Sequence, residues 1–142
     1  MLTLKVKKLR EDAAIPERGT TGSAGLDIYS VEDCQLWPGD IRCLNTGIAM
    51  EIPNGYFGLL MTRSSMGKNG VRLSSGANII DADYRGEIIV CLRNDGEYLW
   101  PIKKGERIAQ LAIVPYLDCI MVIADELTPT MRGNGGFGST GR

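Results

Sequence analysis

Apolar and polar residues alternate over much of the chain with the two-residue period of half-buried β-strands. At the amino end, Leu2, Leu4 and Val6 alternate with Thr3 and Lys5. Further strand-like runs lie at Ile41–Leu44, Gly47–Ile52, Tyr56–Met61, Glu87–Leu92, Tyr98–Ile102, Arg107–Val114 and Cys119–Ala124. This pattern predicts a chain made largely of β-strands.

Turn-forming clusters separate these runs at short intervals. They are Pro38–Gly39, Pro53–Gly55, Asn94–Gly96 and Lys103–Gly105. Short strands about 8–12 residues apart, with turn signals between them, favour a sandwich or barrel over a βαβ fold. One short helix is expected over Ser64–Asn69, where Ser64 or Ser65 is placed to cap the first turn before Gly70. The strand-rich region is expected to end near Pro129.

Composition narrows the possible chemistry. The chain has 142 residues, which is the length of one domain and enough to bury an ordinary core. It contains no histidine, so Ser-His-Asp and Cys-His catalytic groups, histidine-ligated zinc and imidazole acid–base chemistry are excluded. Any acid–base step near neutral pH must use a carboxylate, tyrosine, lysine or cysteine.

The charge balance and the amino terminus limit the partners and the compartment. With 16 Lys plus Arg against 17 Asp plus Glu, the net charge of −1 predicts no broad attraction to nucleic acid or anionic membrane. The first residues lack the apolar core of a signal peptide, and no apolar run is long enough to span a bilayer. We therefore expect a cytoplasmic protein with no nucleic-acid or membrane partner, and delivery to a nucleus or a host cell is compatible with the same sequence.

Four cysteines are scattered along the chain without a C-x-x-C pair: Cys34, Cys43, Cys91 and Cys119. Without histidine they do not complete a zinc site of the usual spacing. In a chain with no export signal, we expect them to be reduced and mostly buried, acting as small apolar residues.

The carboxyl-terminal twelve residues differ in character from the rest. Five of the last ten are glycine, and Phe137 is the one aromatic residue among them. A Gly-rich end is most often a frayed terminus. However, Phe137 offers a face for stacking a planar ring, and Arg132, the hydroxyls and the glycine N–H groups offer donors to phosphate oxygens. The composition therefore favours a β-rich domain over 1–130 and a flexible flap over 131–142 that closes over a nucleotide.

Two polar clusters in the first half of the chain are candidates for binding chemistry. Asp27 lies between Leu26 and Ile28, and the pattern leaves open an exposed-face residue, a turn acceptor or a metal-shell ligand. The segment 63–70 combines a cation, two hydroxyls and a helix N-terminus, which together form an anion site. The alternative is a surface turn that the serines merely cap.

A third cluster, 78–87, carries two carboxylates. Asp81 and Asp83 alternate, so on an extended segment they would point to opposite sides, one facing a pocket and the other pairing with a cation such as Arg85. Asp81 follows two β-branched residues and is expected to be partly desolvated, which favours its use as a base. A turn with solvated acids is the alternative.

Five segments in this order resemble the signature of the homotrimeric dUTPases, the deoxyuridine triphosphatases. They are AGLDIY (Ala24–Tyr29), RSSMGKNG (Arg63–Gly70), IIDADYRGEI (Ile79–Ile88), GERIAQL (Gly105–Leu111) and RGNGGFGSTG (Arg132–Gly141). The resemblance implies an all-β protein with a distorted, jelly-roll-like barrel or sandwich and at most one short helix. It also implies a homotrimer that hydrolyses dUTP to dUMP and pyrophosphate with Mg²⁺, in active sites shared by three subunits.

The resemblance also assigns the nucleoside side of the site. Asp81 would orient and deprotonate the attacking water, close to the 3′-hydroxyl of the deoxyribose. Tyr84 would pack under the sugar and disfavour a ribose 2′-hydroxyl. The remaining nucleoside contacts would come from the loop that pairs with the uracil edge and from the strand after it: Asn78, Ile79, Ile80 and Ile89.

The same resemblance assigns the phosphate side. Arg63, Ser64 and Ser65 would contact the phosphates with help from Gln110, and Asp27 would act through water in the Mg²⁺ shell or at the subunit junction. In the flap, Arg132 would bind the γ-phosphate and Phe137 would stack on uracil. The residues that would close over the triphosphate are Gly138, Ser139 and Thr140.

The chain departs from the family pattern at two positions. Ser65 stands where the family usually has glycine, and Asn78 places a side chain beside the base pocket where glycine is usual. The related dCTP deaminases resemble the chain in the phosphate loop but not in the Asp81–Tyr84 segment or the Phe137 flap. A non-catalytic binding protein with the same fold is a further alternative, and the retention of Asp81, Tyr84, Arg132 and Phe137 argues against it.

Overall fold

The computed structural model of the chain describes residues 2–137, and its regular structure is nearly all strand. The strands are β1 (Lys5–Lys8), β2 (Leu26–Tyr29), β3 (Cys34–Leu36), β4 (Ile41–Glu51), β5 (Tyr56–Met61), β6 (Val71–Leu73), β7 (Ala77–Ile80), β8 (Glu87–Asn94), β9 (Trp100–Ile102) and β10 (Arg107–Pro115). One helix, α1 (Ser64–Lys68), lies between β5 and β6. The expected all-β fold with at most one short helix is confirmed.

The strands form two four-stranded antiparallel sheets and a two-stranded ribbon. The first sheet has the order β1-β4-β8-β6, the second β2-β10-β5-β7, and β3 pairs with β9. One apolar core joins all three, with Val90 from the first sheet, Leu111 from the second and Leu36 from the ribbon each fully buried. The sheets stay open, which gives the jelly-roll-like sandwich that the sequence predicted.

Strand β8 shows why the alternating pattern forms a half-buried strand. Ile88, Val90 and Leu92 are buried, while the residues between them are only partly covered. Each fully buried side chain of this size stabilises the fold by about 1.5–3 kcal/mol relative to an exposed one. A shift of the register by one residue would expose this row, so the burial fixes the pairing.

Two predicted runs merge into one strand. The sequence separated Ile41–Leu44 from Gly47–Ile52, but β4 runs continuously through both with a register shift against β8 between Asn45 and Ala49. Gly47 takes a left-handed φ of +68°, and a β-carbon there would lie 2.8 Å from Ala13 Cβ. Only glycine therefore allows the strand to bend here without breaking the sheet.

The strand predicted over Cys119–Ala124 is wrong for this chain. From Tyr116 onward no described residue joins a strand. The apolar residues of this stretch are highly exposed. The alternation is present, but within the described chain no strand edge lies alongside it. Strands β3, β6 and β7 have three or four residues each and lie outside the predicted runs.

Helix α1 forms where it was predicted, but neither serine caps it. The N-cap residue is Arg63, and no side chain accepts a hydrogen bond there. Instead Asn69 Nδ2 donates to the carbonyl oxygen of Ser65 at 2.7 Å, and the buried side chain of Met66 anchors the helix to the core. At five residues, this helix is far too short to cross a membrane, and the described chain contains none that is longer.

The expectation of four reduced and mostly buried cysteines is wrong. Cys43 and Cys91 form a disulfide between β4 and β8, and Cys43 is exposed. Cys34 is half-buried and Cys119 is exposed, both with free thiols. The pairing could not be read from the sequence because the two residues are 48 positions apart and meet only through the strand register.

Asn94 is a fully buried polar residue that joins two turns. Its Nδ2 donates to the carbonyl oxygens of Leu36 and Tyr98, both at 2.8 Å, and its Oδ1 accepts from the N–H of Gly96 at 2.9 Å. We expect Asn94→Ala to lower the free energy of unfolding by about 2–4 kcal/mol, because it removes three hydrogen bonds and leaves the buried carbonyl of Leu36 without this donor. Denaturant titration at one fixed protein concentration measures this.

A matched control is Asn134→Ala in the exposed carboxyl-terminal segment, which should leave the unfolding free energy within about 0.5 kcal/mol of the unsubstituted protein. Equal stability of the Asn94 and Asn134 variants would contradict the role of the buried amide. A large loss in both would point to a general effect of removing an amide instead.

Candidate active site

The second sheet aligns the residues of one side of the site. Asp27 on β2 pairs in register with Gln110 on β10, which pairs in turn with Met61 on β5. Arg63 follows the end of β5, so it lies beside Asp27 although 36 residues separate the two. The strand order alone therefore brings the first, second and fourth segments of the sequence signature together.

Asp27 is the centre of an ion-pair cluster. Arg63 Nε donates to its Oδ1 at 3.1 Å, and Arg107 Nη1 donates to its Oδ2 at 3.3 Å. The side chain of Asp27 is only 14% exposed. Of the three possibilities that the sequence left open, an exposed-face residue is therefore excluded, and both oxygens are committed to arginines rather than to a turn.

A cavity of about 500 Å³ opens beside this cluster, lined by Asp27, Arg63, Ser64, Arg107 and Gln110 together with the glycine-containing loop before β2. Gln110 Nε2 donates to the carbonyl oxygen of Thr62 at 3.1 Å, which fixes the amide at the cavity wall. Cationic, hydroxyl and amide donors around an open space are the groups that bind phosphate oxygens.

Ser65 faces a different cavity from its neighbour Ser64. This second space, also about 500 Å³, is lined by Ser65, Tyr29 and Trp100 and shares Arg63 and Arg107 with the first. Burial, followed by the nearby charges of Asp27 and Glu17, raises the pKa of the Tyr29 hydroxyl, so that it stays a neutral donor at physiological pH. The two serines therefore do not line one surface in this chain.

The nucleoside-side residues gather at the other edge of the same sheet. A cavity of about 200 Å³ is lined by the residues of β7, the turn after it and β8 that the sequence singled out: Asn78, Ile79, Ile80, Asp81, Tyr84 and Ile89. The Ser75 hydroxyl contacts Asn78 Oδ1 and holds that side chain at the wall. The cavity is small, and its wall combines isoleucine side chains with the polar groups of Asn78, Asp81 and Tyr84, which suits a base that has both flat faces and a hydrogen-bonding edge.

The segment after β7 is a turn, not the extended chain that was expected. The N–H of Tyr84 donates to the carbonyl oxygen of Asp81 at 3.1 Å, so Asp81 and Asp83 line one cavity instead of pointing to opposite sides. Arg85 donates to the carbonyl oxygens of Ala82 and Tyr84, at 2.6 and 3.0 Å, and pairs with neither carboxylate. Asp81 is exposed, so the expected partial desolvation is absent in the single chain.

The phosphate and nucleoside cavities do not meet. They share no lining residue. The register runs from Asp27 through Gln110 and Met61 to Ala77, which places the two sides three strand spacings, or about 14 Å, apart. The single chain therefore carries two half-sites.

The described residues of the carboxyl-terminal segment, 131–137, line neither half-site. Arg132 Nε donates to the carbonyl oxygen of Gly135 at 2.9 Å, and Phe137 is fully exposed with a left-handed φ of +50°. Gly138, Ser139 and Thr140 fall outside the described residues.

Arg107 is the site residue that sequence reasoning missed. It was placed only within a strand and a family segment, with no role of its own. The register of β10 against β2 shifts between Arg107 and Ala109, at the end of β10 that lies beside Asp27. A bulge of this kind re-aims a side chain, and nothing in the local sequence marks it.

Comparison with known proteins agrees with this geometry. The family model described as dUTPase matches residues 11–141. The deoxyuridine 5′-triphosphate nucleotidohydrolase of Hydrogenobaculum sp. (strain Y04AAS1) is 48% identical over 142 residues, covering 99% of both chains. That of Paramecium bursaria Chlorella virus 1 is 44% identical with the same coverage.

Solved structures agree as well. The dUTPase of Staphylococcus bacteriophage 80alpha with dUPNHPP has a TM-score of 0.92 and 34% identity, covering 99% of both chains. A mutant dUTPase of phage phi11 of S. aureus, solved with a structural Mg(II) ion, has a TM-score of 0.81 and 29% identity over 87% of this chain and 97% of that one. The resemblance found in the sequence is confirmed, and the chain belongs to the dUTPase family of nucleotide-metabolising hydrolases.

Proposed function

We propose that this protein hydrolyses dUTP to dUMP and pyrophosphate, which supplies dUMP for thymidylate synthesis and limits uracil in DNA. The observation that carries the proposal is the pair of half-sites on one sheet. One offers arginine, hydroxyl and amide donors for phosphates, and the other offers a narrow cavity with Asp81 and Tyr84 for a nucleoside. The relatives named for dUTP hydrolysis support this combination.

The reaction would be an in-line displacement at the α-phosphorus. Asp81 would accept a proton from a water molecule as its oxygen attacks, and the bond to the bridging oxygen would break to release pyrophosphate. A positioned base of this kind is typically worth about 10²–10⁴-fold in rate. The rest of the acceleration would come from orientation and from donors around the developing charge, chiefly Arg63, Ser64 and Gln110.

Uracil would be selected at the nucleoside half-site. The backbone of 78–81 would pair with the uracil edge, with Ile89 from β8 at the same cavity and Tyr84 under the sugar. The side chain of Asn78, where the family usually has glycine, is held by Ser75 at the wall of this cavity. It would make the base pocket narrower than a glycine would.

Mg²⁺ fits this site as a partner of the substrate. Within residues 2–137, no cluster of three or more Asp, Glu, Cys or His could hold a metal ion by itself. Both oxygens of Asp27 accept from arginines at the phosphate cavity, which fits contact through water better than direct ligation. The phosphates of the substrate would supply most of the Mg²⁺ ligands, and the ion would neutralise charge on the phosphate oxygens.

The segment 131–142 would act as a flap over the bound nucleotide and residues 1–130 as the domain that carries it. Arg132 would bind the γ-phosphate and Phe137 would stack on uracil, with Gly138, Ser139 and Thr140 closing over the triphosphate. The full exposure of Phe137 supports this, because an aromatic ring with no place in its own core is available to a ligand.

A homotrimer would complete the active sites. The separation of the half-sites is one support, because a nucleotide bound across both would need a second copy to bring them together. The second support is the exposed apolar stretch before the flap: Tyr116, Leu117, Ile120, Met121, Val122, Ile123 and Leu127. Apolar exposure on this scale marks a contact surface.

Pyrophosphate release with dUTP, dTTP, UTP and dCTP, each with and without Mg²⁺, tests the proposed function. We expect turnover of dUTP at least about 100-fold above that of the other three. The backbone of 78–81 would reject the base edge of dCTP, the small base pocket would reject the methyl group of dTTP, and Tyr84 would disfavour the 2′-hydroxyl of UTP. Inactivity on all four would overturn the proposal. Ammonia release from dCTP would instead identify the deaminase activity.

A further inference from the structure

Gly86 lies directly against the ring of Tyr84. A β-carbon built on Gly86 would come within 2.6 Å of Tyr84 Cζ and 2.9 Å of its Cε2, and closer still to its hydroxyl oxygen. Such approaches are shorter than any that real β-carbons make. A side chain at position 86 and the observed ring position therefore exclude each other.

The backbone gives no other reason for a glycine here. Gly76 and Gly105 have left-handed φ values of +82° and +83°, which disfavour any side chain, but Gly86 does not adopt this conformation. The requirement for glycine at position 86 comes from the close approach of the ring alone.

The far end of the same ring is tied down as well. Tyr84 Oη donates to the carbonyl oxygen of Glu87 at 2.9 Å. The side chain of Glu87 accepts from the N–H of Gly47 at 2.7 Å, which joins this point to β4 in the first sheet. The ring therefore has backbone behind it and a fixed hydroxyl, although Tyr84 as a whole is 45% exposed.

We infer that Gly86 is a positioning residue that sets discrimination between deoxyribonucleotides and ribonucleotides by holding the Tyr84 ring flat against the backbone. The inference rests on the proposed function, in which Tyr84 packs under the sugar. A ring backed by the peptide chain cannot retreat to admit a 2′-hydroxyl. With a methyl group at position 86, the hydroxyl end of the ring must leave its place and its hydrogen bond to Glu87, so the ring no longer forms a fixed floor under the sugar. The exposure of the ring allows this displacement without disturbing the core.

The first measurement is the ratio of kcat/KM for dUTP to kcat/KM for UTP. In Gly86→Ala we expect this ratio to fall about tenfold, the scale of discrimination by a shaped apolar contact, while the melting temperature stays close to that of the unsubstituted protein. Gly22→Ala is the matched control and should leave the ratio unchanged, because Gly22 lines neither half-site and a β-carbon there meets nothing within 4 Å.

A double-mutant cycle with Tyr84→Ala separates positioning from a merely structural role. If Gly86 acts through the ring, adding Gly86→Ala to Tyr84→Ala should not change the ratio further. The Hα protons of Gly86 should also show a ring-current shift in NMR spectra, and this shift should disappear in Tyr84→Ala.

Three results would overturn the inference: an unchanged ratio in Gly86→Ala, an equal fall of the ratio in the Tyr84→Ala background, or Gly86 Hα shifts that do not depend on Tyr84. If the unsubstituted protein hydrolyses dUTP and the variants give any of these results, only the role of Gly86 is contradicted. An unsubstituted protein without dUTP hydrolysis contradicts the proposed function and this inference together.

Discussion

Replacement of Asp81 by asparagine is expected to lower kcat for dUTP by about 10²–10⁴-fold with little change in KM. The amide keeps nearly the same size and can still orient a water molecule, but it does not accept the proton of that water. Steady-state pyrophosphate release gives kcat, and binding of a non-hydrolysable dUTP analogue by calorimetry shows that the nucleotide still binds.

Asp83→Asn is the matched control for this experiment. Asp83 is two positions away, is exposed and lines a cavity together with Asp81, but it has no part in the proposed reaction. We expect its turnover to stay within about threefold of the unsubstituted protein, which is the scale of a surface charge effect. Near-normal turnover by Asp81→Asn, or an equal loss in both variants, would remove Asp81 from the role of base.

Truncation after Pro129 is expected to give a folded trimer with kcat/KM for dUTP lowered by about 100-fold or more. The deletion removes residues that make few contacts in the described chain, so the core and the exposed apolar stretch before it stay intact. It also removes the proposed phosphate and uracil contacts, and loss of positioning alone costs on this scale. Sedimentation gives the mass and pyrophosphate release gives the activity.

Two single substitutions refine this result. Phe137→Ala should reproduce part of the loss, mainly in KM, because it removes a stacking ring but leaves the donors of the flap. Met131→Ala replaces another fully exposed apolar residue of the same segment and should have no effect. Full activity of the truncated protein would show that the flap is dispensable, and a truncated protein that no longer assembles would show that the segment has a structural role.

The strands that could be predicted are the long ones with a buried row. Tyr56–Met61 coincides with β5, and Glu87–Leu92 with most of β8, because each carries enough alternating positions to show the period. The runs Ile41–Leu44 and Gly47–Ile52 look separate in the sequence because two polar residues, Asn45 and Thr46, lie between them. Here a left-handed glycine continues the strand through a bulge, which is decided by the packing of Ala13 against it.

The candidate site was predicted residue by residue from the family resemblance, but not its arrangement. Asp27 could not be assigned from its strand position, because its partners Arg63 and Arg107 are 36 and 80 residues away. Ser64 and Ser65 looked equivalent in sequence, yet the first turn of α1 directs them to separate cavities. The segment after β7 looked extended, with Asp81 and Asp83 on opposite sides, but it forms a turn that places both at one cavity. The turn could not be predicted because its backbone hydrogen bonds leave no signature in the apolar pattern.

Local sequence is enough to predict the fold class, the family and the residue types available for chemistry. These follow from the alternation of apolar and polar residues, from turn residues and from the order of five segments along the chain. Which distant side chains meet depends on the tertiary structure, since register and bulges are set by packing between strands. The tertiary structure also determines that Cys43 meets Cys91 and that the phosphate and nucleoside residues line two cavities with no residue in common.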